Sequence, residues 1–144
     1  MTRTRLVLAL AAIAALAAWG IERLVVTDRE AIEALIEGAR AAVVRGDGPA
    51  LESMLADDYA ERGLDRAGAI AWIQRLWRRS QLSALTVDVE DVRVEGDRAA
   101  ARVTVSPTMG FGGTRFGGRV DLERRAAGWR ITGIAPDDAA FLPN

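Results

Sequence analysis

The chain has 144 residues, 50% of them hydrophobic and 27% charged, with a formal net charge of −1, a balance that fits one packed domain of about 110 residues behind an apolar start. It contains no Cys and no His, and its 19 basic residues are all Arg, which excludes disulfides, thiolate nucleophiles, zinc–thiolate and iron–sulfur ligation, Schiff-base chemistry and a lysine base. Because the arginines are scattered among acids, composition points to no nucleic-acid partner, and the residue types demand no cofactor and no metal.

In chain order, Thr2-Arg3-Thr4-Arg5 precedes an apolar run from Leu6 to Ile21. A spanning helix needs about 20 residues, which this run reaches only with Leu24, Val25 and Val26 added beyond Glu22-Arg23, where Arg23 can snorkel to the far interface. Residues 1–26 are therefore expected to form an uncleaved membrane anchor. The rival is a signal segment removed after export, since Ala15-Leu16-Ala17 has the small-x-small form of a cleavage site. In both cases the basic residues lie before the apolar run, so the N-terminus stays cytoplasmic. The domain is then extracytoplasmic, either membrane-anchored or secreted or periplasmic after cleavage.

Residues 27–136 form the expected domain. Thr27-Asp28-Arg29-Glu30 reads as a capping box that starts a helix. Ile32, Leu35, Ile36, Ala39 and Val43 make its apolar stripe, with Arg29, Glu33, Glu37 and Arg40 on the opposite face. Gly46-Asp47-Gly48 stops it, and Pro49 suits the first turn of a short second helix through Leu51, Met54 and Leu55 to about Asp57-Asp58. Asp65 can cap a third helix, Arg66 to Arg79, whose apolar line is Ile70, Ile73 and Trp77, widened by Trp72 and Leu76.

From Leu82 the period changes to alternation and β-branched residues increase. Val87 and Val89 share one parity and Val92 and Val94 the other, so keeping all four inside requires one extra residue near Glu90-Asp91, a β-bulge. Glu95-Gly96-Asp97-Arg98 is a tight turn. The inward rows of the next three strands are Ala99, Ala101, Val103 and Val105; Phe116, Gly118, Val120 and Leu122; and Trp129, Ile131 and Gly133. Pro136 ends regular structure, leaving residues 137–144 as a tail. Helices first and strands after predict an α+β domain in which about three helices pack on a curved four-stranded antiparallel sheet.

This order resembles the nuclear transport factor 2-like superfamily. The residues that carry the resemblance are Glu30 to Val43, then Leu51-Glu52-Ser53-Met54-Leu55-Ala56-Asp57-Asp58-Tyr59, then Val92 to Ile134 with Gly128-Trp129-Arg130-Ile131 closing the last hairpin; the second helix and final strand look like its SnoaL-like members. The resemblance implies a cone-shaped fold with a pocket between helices and sheet, and a superfamily of isomerases, dehydratases, epoxide hydrolases and proteins without catalysis. Fold alone does not choose among them. It also implies pairing through the outer sheet face, so a homodimer is expected, although Arg98, Arg102 and Arg119 make that face less apolar than a strong interface wants.

Several groups are weighed as sites. Asp57, Asp58, Tyr59 and Glu61 cluster after the second helix, where Asp58 suits a general base; a solvated helix end with Tyr59 packed inward explains them more simply, because nothing local supplies the burial that shifts a carboxylate. Asp65 is read as a cap before an acid/base. The glycine-rich stretch from Met109 to Gly118 has strands on both sides and no Lys, so it is no phosphate cradle; it is a hairpin arm or a place of close backbone approach, with Arg115 its one group suited to an anion. Trp72, Trp77, Phe111, Phe116 and Trp129 either line an apolar pocket or fill the core. Arg75, Arg78 and Arg79 are a solvated face.

The inward rows contain no ionisable residue. The expected function is therefore a non-catalytic extracytoplasmic binding or dimerisation module with a small apolar pocket. The alternative is an isomerase- or hydrolase-like enzyme that uses a pocket Asp or Glu with Tyr59.

Overall fold

A computed structural model describes residues 3–79, 84–109, 112–113 and 115–137. Among these residues are three helices, α1 (Arg3–Arg45), α2 (Gly48–Met54) and α3 (Arg66–Arg79), and five strands, β1 (Ala84–Glu95), β2 (Arg98–Met109), β3 (Gly112–Gly113), β4 (Phe116–Arg125) and β5 (Gly128–Pro136).

The helix expected to begin at Thr27 does not begin there. α1 runs unbroken from Arg3 to Arg45, and no break in secondary structure marks the expected boundary between residues 26 and 27. The physical reason lies in the residues between Ile21 and Thr27, which include neither Gly nor Pro: stopping and restarting a helix leaves up to four unpaired groups at each new end, whereas propagation adds one bond per residue. In the first half of α1, Val7, Leu8, Leu10, Ile13 and Leu16 are each 59% to 67% exposed. Among the described residues no helix is long and apolar enough to cross a membrane.

The second half of α1 packs as its periodicity predicts. Ile32, Ile36 and Ala42 are buried, and Leu35 and Ala39 pack against the core. Its end is built by Gly46 at φ +67°, which lets the Gly46 N–H donate to the Val43 carbonyl and the Asp47 N–H to the Ala42 carbonyl, at 3.1 and 2.9 Å. Only glycine adopts that left-handed turn without strain. Asp47 then caps α2 by accepting the Ala50 N–H at 3.1 Å, with Pro in the first turn.

α2 stops at Met54, short of the expected Asp57-Asp58. Leu55 is extended and forms a parallel bridge to Ile131, and the Ala56 N–H donates to the Ile131 carbonyl at 2.8 Å. An open strand edge offers unpaired backbone groups, and leaving the helix early satisfies one of them. α3 begins as expected, with the Asp65 carboxylate accepting the Gly68 N–H at 2.7 Å.

The sheet is antiparallel in the order β1-β2-β4-β5, with β3 paired to β2. It has five strands instead of four because Gly112 and Gly113, inside the expected arm, fold back onto Met109 and Thr108. The bulge in β1 stands where parity requires it: Val89 faces Val103 while Asp91 faces Arg102, so Glu90 is the extra residue. Val87, Val89, Val92 and Val94 all pack against the core.

A second bulge was not anticipated. Asp121 faces Gly133 and Leu122 faces Ile131, which makes Thr132 the extra residue in β5. Gly133 therefore belongs to the outer face, beside Asp121, and the inward row of β5 continues through Ile134. The core joins Ile32, Ile36, Leu55, Tyr59 and Ala69 to Ala99, Ala101, Val103, Val120, Leu122, Trp129 and Ile131.

Candidate functional site

Helices and sheet do not close completely on each other. They leave a cavity of about 230 Å³. α1 contributes Ile36, Ala39, Arg40 and Val43; α2 and its exit contribute Leu51 and Leu55; and α3 contributes Trp72, Ile73, Leu76 and Trp77. The sheet supplies Leu85, Val87, Val103, Val105, Pro107, Phe116, Val120, Ile131, Ile134 and Pro136. These are the inward rows of the strands, so the wall is apolar for the reason the sheet has an inside: alternate residues share a face, and each bulge resets the alternation where the valines or isoleucines need it.

Arg40 is the one ionisable side chain on that wall among the described residues. Expected on the face opposite the stripe, it stands four residues from Ile36 and three from Val43, at the flank of the stripe, and its stem lies on the cavity wall. Nε and Nη2 grip the Glu37 carboxylate one turn earlier, with distances from 2.6 to 2.9 Å, and Nη1 donates to the Leu85 carbonyl at 3.2 Å. The Arg40 side chain is 27% exposed and that of Glu37 59%. The hydrogen bond from Arg40 holds the Glu37 carboxyl below the usual carboxylate range, and the same bond raises the Arg40 guanidinium.

Of the pocket candidates, Trp72, Trp77 and Phe116 stand on the cavity wall. Phe111 lies outside the described residues. Arg115 is exposed and is not part of the wall. Trp129 is buried but stands elsewhere in the core: the Arg124 guanidinium lies 4.8 Å from its ring centroid, and its Nε1 donates to Asp28 at 3.4 Å. It fills the core and does not line a pocket.

Tyr59 also misses the cavity. It is 5% exposed, and its hydroxyl accepts the Ile134 N–H at 3.2 Å. It borders a void of only about 10 Å³ with Glu61, Leu64, Ala69 and Trp72 among its neighbours. Burial is the main cause that raises its pKa above the ordinary 10.0; the Ile134 N–H lowers it and the charge of Glu61 raises it further. Asp58, proposed as an acid/base, is exposed and pairs with Arg125 at 2.9 Å. Asp65 is occupied as the α3 cap. None of these carboxylates reaches the apolar cavity, because the chain between Ala56 and Asp65 runs past the β5 edge instead of under the helices. Among the described residues no cluster of three or more acidic side chains is placed to hold a metal ion.

The outer face of the sheet carries a larger, open trough of about 610 Å³, lined by Asp58, Glu61, Arg93, Glu95, Arg98, Asp121, Glu123 and Arg125, among others. Its arginines are all paired with acids: Arg98 and Arg125 both meet Glu123, Arg125 also meets Asp58, and Arg93 meets Asp91 beside the trough, as Arg119 there meets the trough's Asp121. Such mixed, solvated pairs each contribute little and focus no field. The glycine-rich stretch has one structural use that the sequence allowed for, close backbone approach: a Cβ on Gly118 would stand 3.2 Å from the Ala135 carbonyl oxygen.

A search of curated proteins finds no sequence match. Solved structures do match in fold. An NTF2-like protein with a cystatin-like fold from Novosphingobium aromaticivorans is 25% identical, with a TM-score of 0.66 over 90% of this chain and 97% of that one. An NTF2-like protein of unknown function from Shewanella oneidensis is 15% identical, with a TM-score of 0.64 over 76% and 98%. TsrD from Streptomyces laurentii is 24% identical, with a TM-score of 0.56 over 76% and 90%. A SnoaL-like domain model matches residues 32–135, from Ile32 in the second half of α1 to Ala135 in β5. Since that match spans the helices and strands that enclose the cavity, the chain belongs to the SnoaL-like domain family of the NTF2-like superfamily.

Proposed function

We propose that the domain is a non-catalytic binding module that holds a small apolar molecule in the cavity between helices and sheet. The observation that carries this reading is the wall itself, which offers hydrocarbon and indole surface and no carboxylate. Small-molecule sites have this character, apolar with few placed polar groups. An apolar cavity of about 150 Å³ is large enough for benzene, so this one takes a molecule of roughly ten non-hydrogen atoms. At about 0.55–0.8 kcal/mol per non-hydrogen atom, inside the bounds for small ligands, that size gives a dissociation constant of about 1–100 μM.

Trp72 and Trp77 lie on the wall, so their emission reports occupancy. Titration with naphthalene-sized compounds is expected to change the tryptophan fluorescence saturably. Val105→Phe, which grows a side chain into the space, is expected to abolish the change while circular dichroism stays native. Saturable binding that survives the filling substitution would refute the assignment to this cavity.

The same reading includes the location of the module. We infer that residues 1–26 tether the chain in a membrane with the domain outside, supported by Arg3 and Arg5 ahead of the apolar run and by the unpartnered Val7, Leu8, Leu10, Ile13 and Leu16. External protease on intact cells is expected to digest the domain; complete protection until lysis overturns the topology. A mature N-terminus beyond Ala17 identifies the exported form instead. Self-association through the outer sheet face, where Arg98, Arg102 and Arg119 are exposed, is expected to be weak and salt-sensitive, which sedimentation at low and high salt measures.

A further inference from the structure

We propose that the cavity is closed and apolar toward the β5 edge of the sheet and meets water toward the β1 edge, so that it takes a hydrocarbon, or a molecule polar at one end, and rejects one polar at both ends. The inference rests on the binding-module reading and adds the polarity pattern of the ligand.

The closed end lies where α2 meets the sheet. Leu51, Leu55, Val103, Val120 and Ile131 form the wall there, and each is at most 6% exposed. The backbone seals this end as well. The Leu55 N–H donates to the Leu51 carbonyl, the Ala56 N–H donates to the Ile131 carbonyl, and Leu55 bridges to Ile131. β2 and β4, which carry Val103 and Val120, are each paired with a strand on both sides, so the ladders engage their N–H and C=O groups. A hydroxyl or carbonyl carried to this end finds no hydrogen-bond partner among the described residues.

The other flank differs. The strand order β1-β2-β4-β5 puts it at the opposite edge of the sheet, where Arg40 of α1 donates to the Leu85 carbonyl of β1 and both residues stand on the wall. The Arg40 stem lies along the cavity, while its guanidinium turns outward to Glu37, whose side chain is 59% exposed, so this flank borders water. A single polar group on a ligand stays hydrated there. A second one at the far end of the same molecule is carried to the closed end and loses its water without replacement. An unpaired buried hydroxyl of that kind weakens binding by about 10- to 100-fold.

Three probes of nearly one size and shape test this: p-xylene, p-cresol and hydroquinone, in which none, one and both of two opposite methyl groups are replaced by hydroxyl. Each is brought to equilibrium by dialysis against the full chain in lipid nanodiscs, with the free concentration read in the outer chamber and empty nanodiscs as the blank. The first replacement is expected to weaken binding by at most about 4-fold, the loss of one buried methyl. The second is expected to weaken it by a further 10- to 100-fold or so. A second step no larger than the first overturns the inference and leaves the apolar cavity reading intact: two small steps mean that polar groups are served at both ends, and two large ones that no flank meets water. This comparison is made on the native chain and needs no variant to fold. Failure of p-xylene to bind, or p-xylene binding that survives Val105→Phe, overturns both.

Discussion

Replacing Tyr59 by Phe removes a single oxygen from the packed interior and tests whether this residue serves structure or chemistry. Its hydroxyl accepts the Ile134 N–H, two residues beyond the β5 bulge at Thr132. With Tyr59 buried, the orphaned N–H has little access to water, and an unsatisfied buried donor costs about 1–3 kcal/mol. Allowing partial relaxation, about 1–2 kcal/mol remains, which in a domain of this size lowers Tm by roughly 4–15 °C. Ligand affinity should not change, since Tyr59 is off the cavity wall.

The same substitution has a signature at high pH. Burial raises the Tyr59 pKa above 10.0, so above the unfolded value the folded chain holds a proton that the unfolded chain has lost. The stability this contributes is therefore complete below the unfolded pKa and is lost as pH rises through the folded one. Tyr59 is the chain's one tyrosine, and the chain has no Cys and no Lys; no other side chain titrates between the carboxylates and the arginines. Phenolate absorbance in the near ultraviolet thus follows Tyr59 alone, and thermal melts across the alkaline range should lose their descending limb in Tyr59→Phe. An unchanged Tm, together with a phenol that ionises at its ordinary pH, would refute the reasoning.

Deleting Glu90 removes the extra residue of β1 yet keeps Val87, Val89, Val92 and Val94 on one face, so the domain is expected to fold with a straighter strand. Deleting Asp88 instead turns Leu85 and Val87 outward and is expected to cost roughly 2–4 kcal/mol more, from two partly buried apolar side chains; denaturant melts compare the two. Gly118→Ala places a methyl 3.2 Å from the Ala135 carbonyl oxygen, and separating the strands there is expected to cost about 1–3 kcal/mol; equal stability would show that the strands can part freely. Asp65→Ala removes the α3 cap and is expected to lose about 0.5–2 kcal/mol, with no effect on ligand affinity, whereas a catalytic Asp65 would change activity without changing stability.

The parts of the fold legible in the sequence were those set by local parity and local caps. Four valines that change parity at Glu90-Asp91 admit one arrangement with all of them inside, and the Asp65 cap and Gly46 stop are decided within a few residues of backbone. The bulge at Thr132 had the same kind of signal, since Ile131 and Ile134 stand on opposite parities; Gly133, without a side chain, fitted either face and concealed the shift. The early exit of α2 was not legible, because the partner of Leu55 and Ala56 is Ile131, far along the chain. Arg40 was legible but misassigned: four residues from Ile36 and three from Val43, it stands at the flank of the stripe and not opposite it, so its stem reaches the wall. The aromatic candidates, like the α2 exit, divided on tertiary structure. Trp72, Trp77 and Trp129 are alike in sequence pattern, and only the gap left between helices and sheet separates wall from core.

The unbroken α1 makes the exposed apolar segment and the cavity wall two ends of one shaft. Its 43 residues span about 65 Å at 1.5 Å per residue, and Ile36, Ala39, Arg40 and Val43 at one end are fixed in azimuth by whatever Val7 to Leu16 meet at the other. Inserting one residue between 21 and 27 turns the domain by about 100° and displaces it by about 1.5 Å, whereas seven residues return it to within about 20° of its bearing while moving it about 10 Å. Distance from the N-terminal segment can thus be changed with almost no change of heading, but only by insertions close to a whole number of turns, such as about seven or eleven residues.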